Sequence, residues 1–102
     1  MKIEVQHINR DTQTGDSLGF SSVAIVEVSD NVSVIEALEH AFRWTQNLMD
    51  SWSLNMTNDG HPDVTPMNMR DDGMGHRSTS MFDQMIVNGQ THTVGLFGFE
   101  KV

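Results

Sequence analysis

Five consecutive residues in the last third of the chain have side chains suited to holding an anion. The run His76-Arg77-Ser78-Thr79-Ser80 places an imidazole and a guanidinium beside three hydroxyls. At the entry to a strand, a guanidinium and backbone N–H donors can bind an anionic ligand. The alternative is structural, since the same hydroxyls can satisfy backbone groups where a loop joins a hairpin. The segment is therefore one candidate site for a small anion or ligand.

A second candidate surface is acidic. The chain has 14 acidic and 6 basic residues, and the net charge of −8 opposes direct binding to nucleic acid or to anionic lipid. The same charge would attract a host protein with a basic surface, although it also serves solubility alone. The carboxylates expected to make such a contact are Asp59, Asp63, Asp71 and Asp72.

Two tryptophans are candidate apolar anchors for that partner. Trp44 lies off the centre of the apolar stripe of a predicted helix, and Trp52 lies beyond the expected end of the helix. Each of them either closes an edge of the core or is exposed. An exposed tryptophan would anchor a protein partner.

Metal binding and catalysis have little support in the sequence. The absence of cysteine excludes disulfides, thiolate metal sites and a cysteine nucleophile. His61, Asp63, Asp71, Asp72 and His76 would offer ligands from one loop, but their spacing matches no metal signature. No nucleophile elbow, phosphate-binding loop or His-Glu-x-x-His pattern occurs. We expect no metal, no cofactor and no enzymatic activity.

Length and composition indicate one globular domain. The 102 residues are 37% hydrophobic and 20% charged, which suits a single core over residues 1–102. The first residues alternate apolar and polar side chains and lack the features of a signal peptide, and no apolar run reaches the length of a membrane span. We expect a cytoplasmic protein without membrane contact.

The periodicity predicts an α+β fold. Residues 2–8 and 22–28 are typical of strands that pair antiparallel, with a polar turn between them. A helix is expected over 34–48, because Ser33 and Glu36 form a capping box. Residues 50–75 lack periodicity and predict a long irregular loop, a common place for a functional site.

The C-terminal third predicts a hairpin. Residues 81–87 and 91–97 flank Asn88-Gly89, a pair that favours a tight turn, and residues 98–102 extend or follow the last strand. The expected fold is a small, mostly antiparallel sheet of about four to five strands packed on one main helix.

The order of these features resembles a known group of proteins. The segments that carry the resemblance are Glu36 to Asn47, the run Arg77-Ser78-Thr79-Ser80 with Asp83, and the closing Gly98-Phe99. They are similar to small proteins of unknown function from phages, plasmids and bacterial genomes, in which Arg-Ser-Thr-Ser-Val-Gly-Asp opens a hairpin that ends in Gly-Phe. The match covers the helix and the last third of the chain. Met81 and Phe82 stand where that pattern has Val-Gly.

The resemblance implies a mobile-element setting and carries no activity over to individual residues. With the acidic charge, it leads to the hypothesis of an inhibitor of a host nucleic-acid-binding defence protein, of anti-CRISPR or anti-restriction type. The alternatives are a small anion- or ligand-binding module at residues 76–80, or a homodimer formed through an open sheet edge.

Overall fold

The computed structural model describes residues 1–47, 51–54, 63–96 and 98–102. These residues form an α+β fold with one six-stranded antiparallel sheet in the order β3-β2-β1-β4-β5-β6. The elements in chain order are β1 Lys2–Arg10, β2 Ser17–Glu27, α1 Val34–Arg43, β3 Val64–Pro66, β4 Gln84–Val87, β5 Gln90–Val94 and β6 Phe99–Lys101.

The first hairpin confirms the predicted antiparallel pairing of β1 with β2. Ile3, Val5 and His7 alternate toward the buried face of the sheet. Both strands are longer than expected, and the turn between them is correspondingly shorter. Asp11 holds this turn by accepting hydrogen bonds from the backbone N–H groups of residues 13 and 14. Two irregularities in register interrupt the pairing as the strands approach the turn.

The sheet has six strands, more than the expected four to five. The additional strands are three residues long, so that no periodicity marks them in the sequence. β3 lies within the expected loop 50–75 and pairs with β2, and β6 pairs with β5 at the opposite edge. The order of the elements along the chain does not indicate which strand β3 or β6 pairs with.

The helix begins as predicted and ends early. The Ser33 hydroxyl accepts a hydrogen bond from the N–H of Glu36, which confirms Ser33 as the N-cap, and it donates to the Glu36 carboxylate. The helix ends at Arg43 rather than near residue 48, because Trp44 leaves helical geometry with φ −86° and ψ 4°. The face with Ala37 and Leu38 is buried against the sheet.

The predicted turn of the second hairpin is confirmed. Asn88 and Gly89 have φ values of 52° and 75°, as a tight turn of this class requires. β4 begins at Gln84, later than the expected residue 81. The reason is a left-handed residue, Phe82, whose φ of 77° is incompatible with a strand.

No helix among the described residues has both the length and the apolar character needed to cross a membrane.

Candidate functional site

A buried ion pair forms the base of the candidate site. Both oxygens of Asp83 accept hydrogen bonds from the Arg77 guanidinium, at 2.6 Å and 2.7 Å. The backbone N–H groups of Ser80 and Ile8 donate to the same carboxylate, each at 2.8 Å. The Asp83 side chain is 0% exposed and that of Arg77 is 46% exposed. Burial raises the pKa of Asp83, but the hydrogen bonds from Arg77 and the backbone outweigh it and leave this pKa below 3.8.

His7 lies beside this pair and is neutral at pH 7. Its Nε2 atom shares a 2.9 Å hydrogen bond with Oγ1 of Thr79 and lies 3.9 Å from the Asp83 carboxylate. Burial lowers the pKa of His7 to about 4, with Arg77 and His76 acting in the same direction and Asp83 against them. A neutral imidazole therefore fills the space between the ion pair and the core.

Most of the predicted hydroxyl cluster serves the fold. The Ser78 hydroxyl accepts a hydrogen bond from the N–H of Asn47, and the N–H of Thr79 donates to the Thr45 carbonyl. The Ser80 hydroxyl accepts from Arg77. These contacts join the segment after α1 to the segment before β4, which is the structural alternative that the sequence left open.

An aromatic wall stands next to the ion pair. The Trp52 ring stacks on His76 at a centroid distance of 5.7 Å, and its Nε1 donates to the Arg77 carbonyl at 2.8 Å. Nε2 of His76 is 2.7 Å from the Met67 carbonyl and shares a hydrogen bond with it. Trp52 is only 6% exposed and closes an edge of the core, so this residue is not available as the surface anchor that exposure would have made it.

Two arginines of this region line a common cleft of about 360 Å³. Arg70 and Arg77 come from segments on either side of it, and the described residues that line it include no acidic side chain. The described residues that line it are His7, Ile8, Asn9, Ser21, Val23, Asn68, Arg70, His76 and Arg77.

Comparisons of the chain with protein-family models, with curated proteins and with solved structures found no match. The cleft's own chemistry is therefore the basis for assigning a function.

Each arginine of the cleft is paired with an aspartate that does not line it, Arg77 with Asp83 and Arg70 with Asp72. Arg70 forms a 2.6 Å ion pair with Asp72, and both side chains are about half exposed. A hydrogen bond from the Met74 N–H, with a further one from Arg70, lowers the pKa of Asp72. An exposed ion pair of this kind is weak, and an incoming anion can replace the Asp72 carboxylate at Arg70.

The predicted partner-binding residues do not form one cluster with the cleft. Asp63, Asp71 and Asp72 are exposed on either side of β3, and Asp59 lies outside the described residues. Trp44 is half-buried at the end of α1 and packs against the core. Asp63 directly precedes β3, whereas Asp71 and Asp72 follow it by several residues, and Trp44 lies just beyond the end of α1.

The sequence indicated only two residues of the cleft, His76 and Arg77. Ser78, Thr79 and Ser80 do not line it, whereas Arg70 and Asn68 do. The position of Arg70 in the loop 50–75 was the available signal, since that loop was the expected place for a site. In the described part of the chain, no three metal-ligating side chains come together.

Proposed function

We propose that this chain is a small binding module that holds an anionic group of its ligand in the cleft between Arg70 and Arg77. The observation that supports it is charge placement. In a chain of net charge −8, two of the 6 basic residues line one cleft. Arginine side chains present planar donors that match carboxylate and phosphate oxygens. Asn9, Asn68 and Ser21 add polar groups around them.

The two arginines have different roles in this proposal. Arg77 is committed to Asp83 through Nη1 and Nη2, and it contributes mainly to the wall and the local field. Among the described residues, the Arg70 guanidinium bonds to one exposed carboxylate, that of Asp72, so in this proposal it is the group that contacts the ligand. The proposal gives His7 no role as a general base, because its pKa of about 4 would make it a weak base at pH 7.

The test is a thermal-shift and calorimetric titration of the intact chain with inorganic phosphate, acetate and nucleotides. A ligand at a hundred times its Kd stabilises the fold by about 2.7 kcal/mol. Arg70→Gln should weaken binding at least tenfold. The matched control Arg43→Gln removes the same charge from an exposed helix position and should leave binding unchanged. Binding of none of these anions, or equal losses in the two variants, would refute the proposal.

A second candidate is the acidic protein-binding module, an inhibitor of a host defence protein with a basic surface. The exposure of Asp63, Asp71 and Asp72 on either side of an edge strand supports it. Carboxylates placed in this way steer a basic partner, and their contribution falls as salt rises.

Capture from host lysate at low and high salt tests this second candidate. The triple variant Asp63→Asn, Asp71→Asn, Asp72→Asn, which removes three negative charges, should lose the captured partner. The control triple variant has the same net charge and changes exposed acids elsewhere, namely Asp16→Asn, Glu27→Gln and Glu39→Gln. If both triple variants lose the partner, net charge alone explains the capture and these three positions have no special role. If capture does not depend on salt, the contact is made by apolar packing.

A further inference from the structure

Among the residues that the structure describes, none pairs with one edge of β2 next to the cleft. β3 pairs only with Ala24–Val26 of that strand. The chain then turns away at Asn68, whose φ is 51°, and the Asn68 side chain donates to the Ser22 carbonyl. Within the described ranges, no strand pairs with Ser17–Ser22 on this side.

The free edge offers backbone hydrogen-bonding groups. Phe20 of β2 lies opposite Ile8 of β1. The N–H and C=O of Ile8 point away from β2, because they bond to the Asp83 carboxylate and the Arg77 guanidinium. In an antiparallel pair, two opposite residues that do not bond to each other both direct their backbone groups outward. The N–H and C=O of Phe20 therefore point to the uncovered edge.

The side chains along this edge differ between the two faces of the sheet. Phe20 is 42% exposed, and Leu18, which lies beyond a register shift and the left-handed Gly19 (φ 97°), is 66% exposed. Ser21 points to the opposite face and lines the cleft together with Arg70. Alternate side chains of an added strand would lie on these same two faces, about 4.8 Å from β2. On one face such a side chain would contact Phe20, and on the other it would enter the cleft lined by Arg70 and Arg77.

We propose that the ligand is an extended peptide that adds to the Ser17–Ser22 edge as a further strand and places an acidic side chain between Arg70 and Arg77. This inference rests on the proposed function and names the anion as a peptide carboxylate. Charge selects this occupant over a second copy of the chain. The edge segment Ser-Leu-Gly-Phe-Ser-Ser itself has no carboxylate, and the net charge of −8 opposes the approach of a second copy. Strand addition draws affinity from backbone bonds and specificity from alternate side chains.

The test uses a fluorescein-labelled eight-residue peptide that alternates valine and glutamate, with glutamine in place of glutamate as its control. Fluorescence polarisation should show binding of the glutamate peptide and at least tenfold weaker binding of the glutamine peptide. Phe20→Pro removes the N–H at the free edge and should also reduce affinity at least tenfold. Phe20→Ala keeps that N–H and should have a smaller effect.

Two further arms separate the possible failures. A glutamate peptide N-methylated at alternate residues blocks strand pairing without any change to the protein, and it should not bind. If phosphate binds and responds to Arg70→Gln while the N-methylated and unmodified peptides bind equally, strand addition is wrong and the cleft proposal stands. If neither phosphate nor peptide binds, both are wrong. If sedimentation shows a dimer that Phe20→Pro dissociates, the edge belongs to a second copy and the peptide proposal is overturned.

Discussion

Arg77 donates two hydrogen bonds to the fully buried carboxylate of Asp83, six residues later in the chain. The same carboxylate accepts the N–H of Ile8, which lies on a different strand. One ion pair therefore joins the end of β1 to the segment that leads into β4. Arg77 both lines the cleft and holds a buried carboxylate, so a change at Arg77 affects the cleft and the fold together.

Removing the arginine should destabilise the fold strongly. Arg77→Met leaves Asp83 buried without a positive partner, which should cost roughly 1–3 kcal/mol, because the N–H groups of Ile8 and Ser80 still bond to it. Arg77→Lys should cost less, because it keeps the charge and loses the paired geometry. Urea unfolding measures both. Arg43→Met, at an exposed position, should change the free energy of unfolding by about 0.5 kcal/mol or less. Equal midpoints for Arg77→Met and Arg43→Met would contradict a stabilising pair.

Stability should fall as the pH drops through the range in which His7 is protonated only in the unfolded chain. The pKa is about 6.5 when unfolded and about 4 in the fold. Between these values the unfolded state binds more protons, so the contribution is fully present above pH 6.5 and is lost as the pH falls toward 4.

His7→Gln isolates this effect, since glutamine can bond to Thr79 without titrating. Urea unfolding of this variant from pH 7.5 to 4.5 should show a shallower loss of stability than the unchanged chain. His92, whose pKa is also lowered by burial, should supply part of the remaining slope. A slope unchanged by His7→Gln would mean that His7 is not responsible.

Phe82 has backbone geometry that normally requires glycine. Its φ is 77°, and a left-handed conformation costs an ordinary residue about 1–2 kcal/mol. The ring is 53% exposed and lies under the Arg10 guanidinium, so the core does not hold it there. Phe82→Gly should be more stable than Phe82→Ala by about 1 kcal/mol, because both lose the ring and only glycine relieves φ. Equal melting temperatures for the two variants would contradict this strain.

Gly75 fits a space too small for any side chain. An added Cβ would lie 2.2 Å from Oγ of Ser51 and 2.8 Å from Oγ of Ser53, which accepts the N–H of His76. Gly75→Ala should therefore destabilise the fold by about 1–3 kcal/mol and shift the Trp52 indole N–H resonance. The double variant Ser51→Gly, Gly75→Ala removes the closest clash and should recover part of the loss. If the double variant is no more stable than Gly75→Ala, the clash with Ser51 is not the cause of the lost stability.

The elements that could be predicted have local signals. The helix start follows from Ser33 and Glu36, and the second turn from Asn88 and Gly89, because these residues satisfy backbone groups within a few positions. The early end of the helix at Arg43 was not predicted, since apolar spacing continues beyond it. There the chain bonds to the distant 76–80 segment, as when Asn47 donates to Ser78.

The sequence by itself determined the fold class, the antiparallel first hairpin and the cluster at residues 76–80. Only the tertiary structure decided what that cluster does. It paired Arg77 with Asp83, buried Thr79 against His7 and brought Arg70 to the cleft. The uncovered edge at Phe20 also depends on where β3 stops. The physical reason is that these outcomes depend on contacts between segments far apart in the chain, and no local pattern of residues specifies which segments meet.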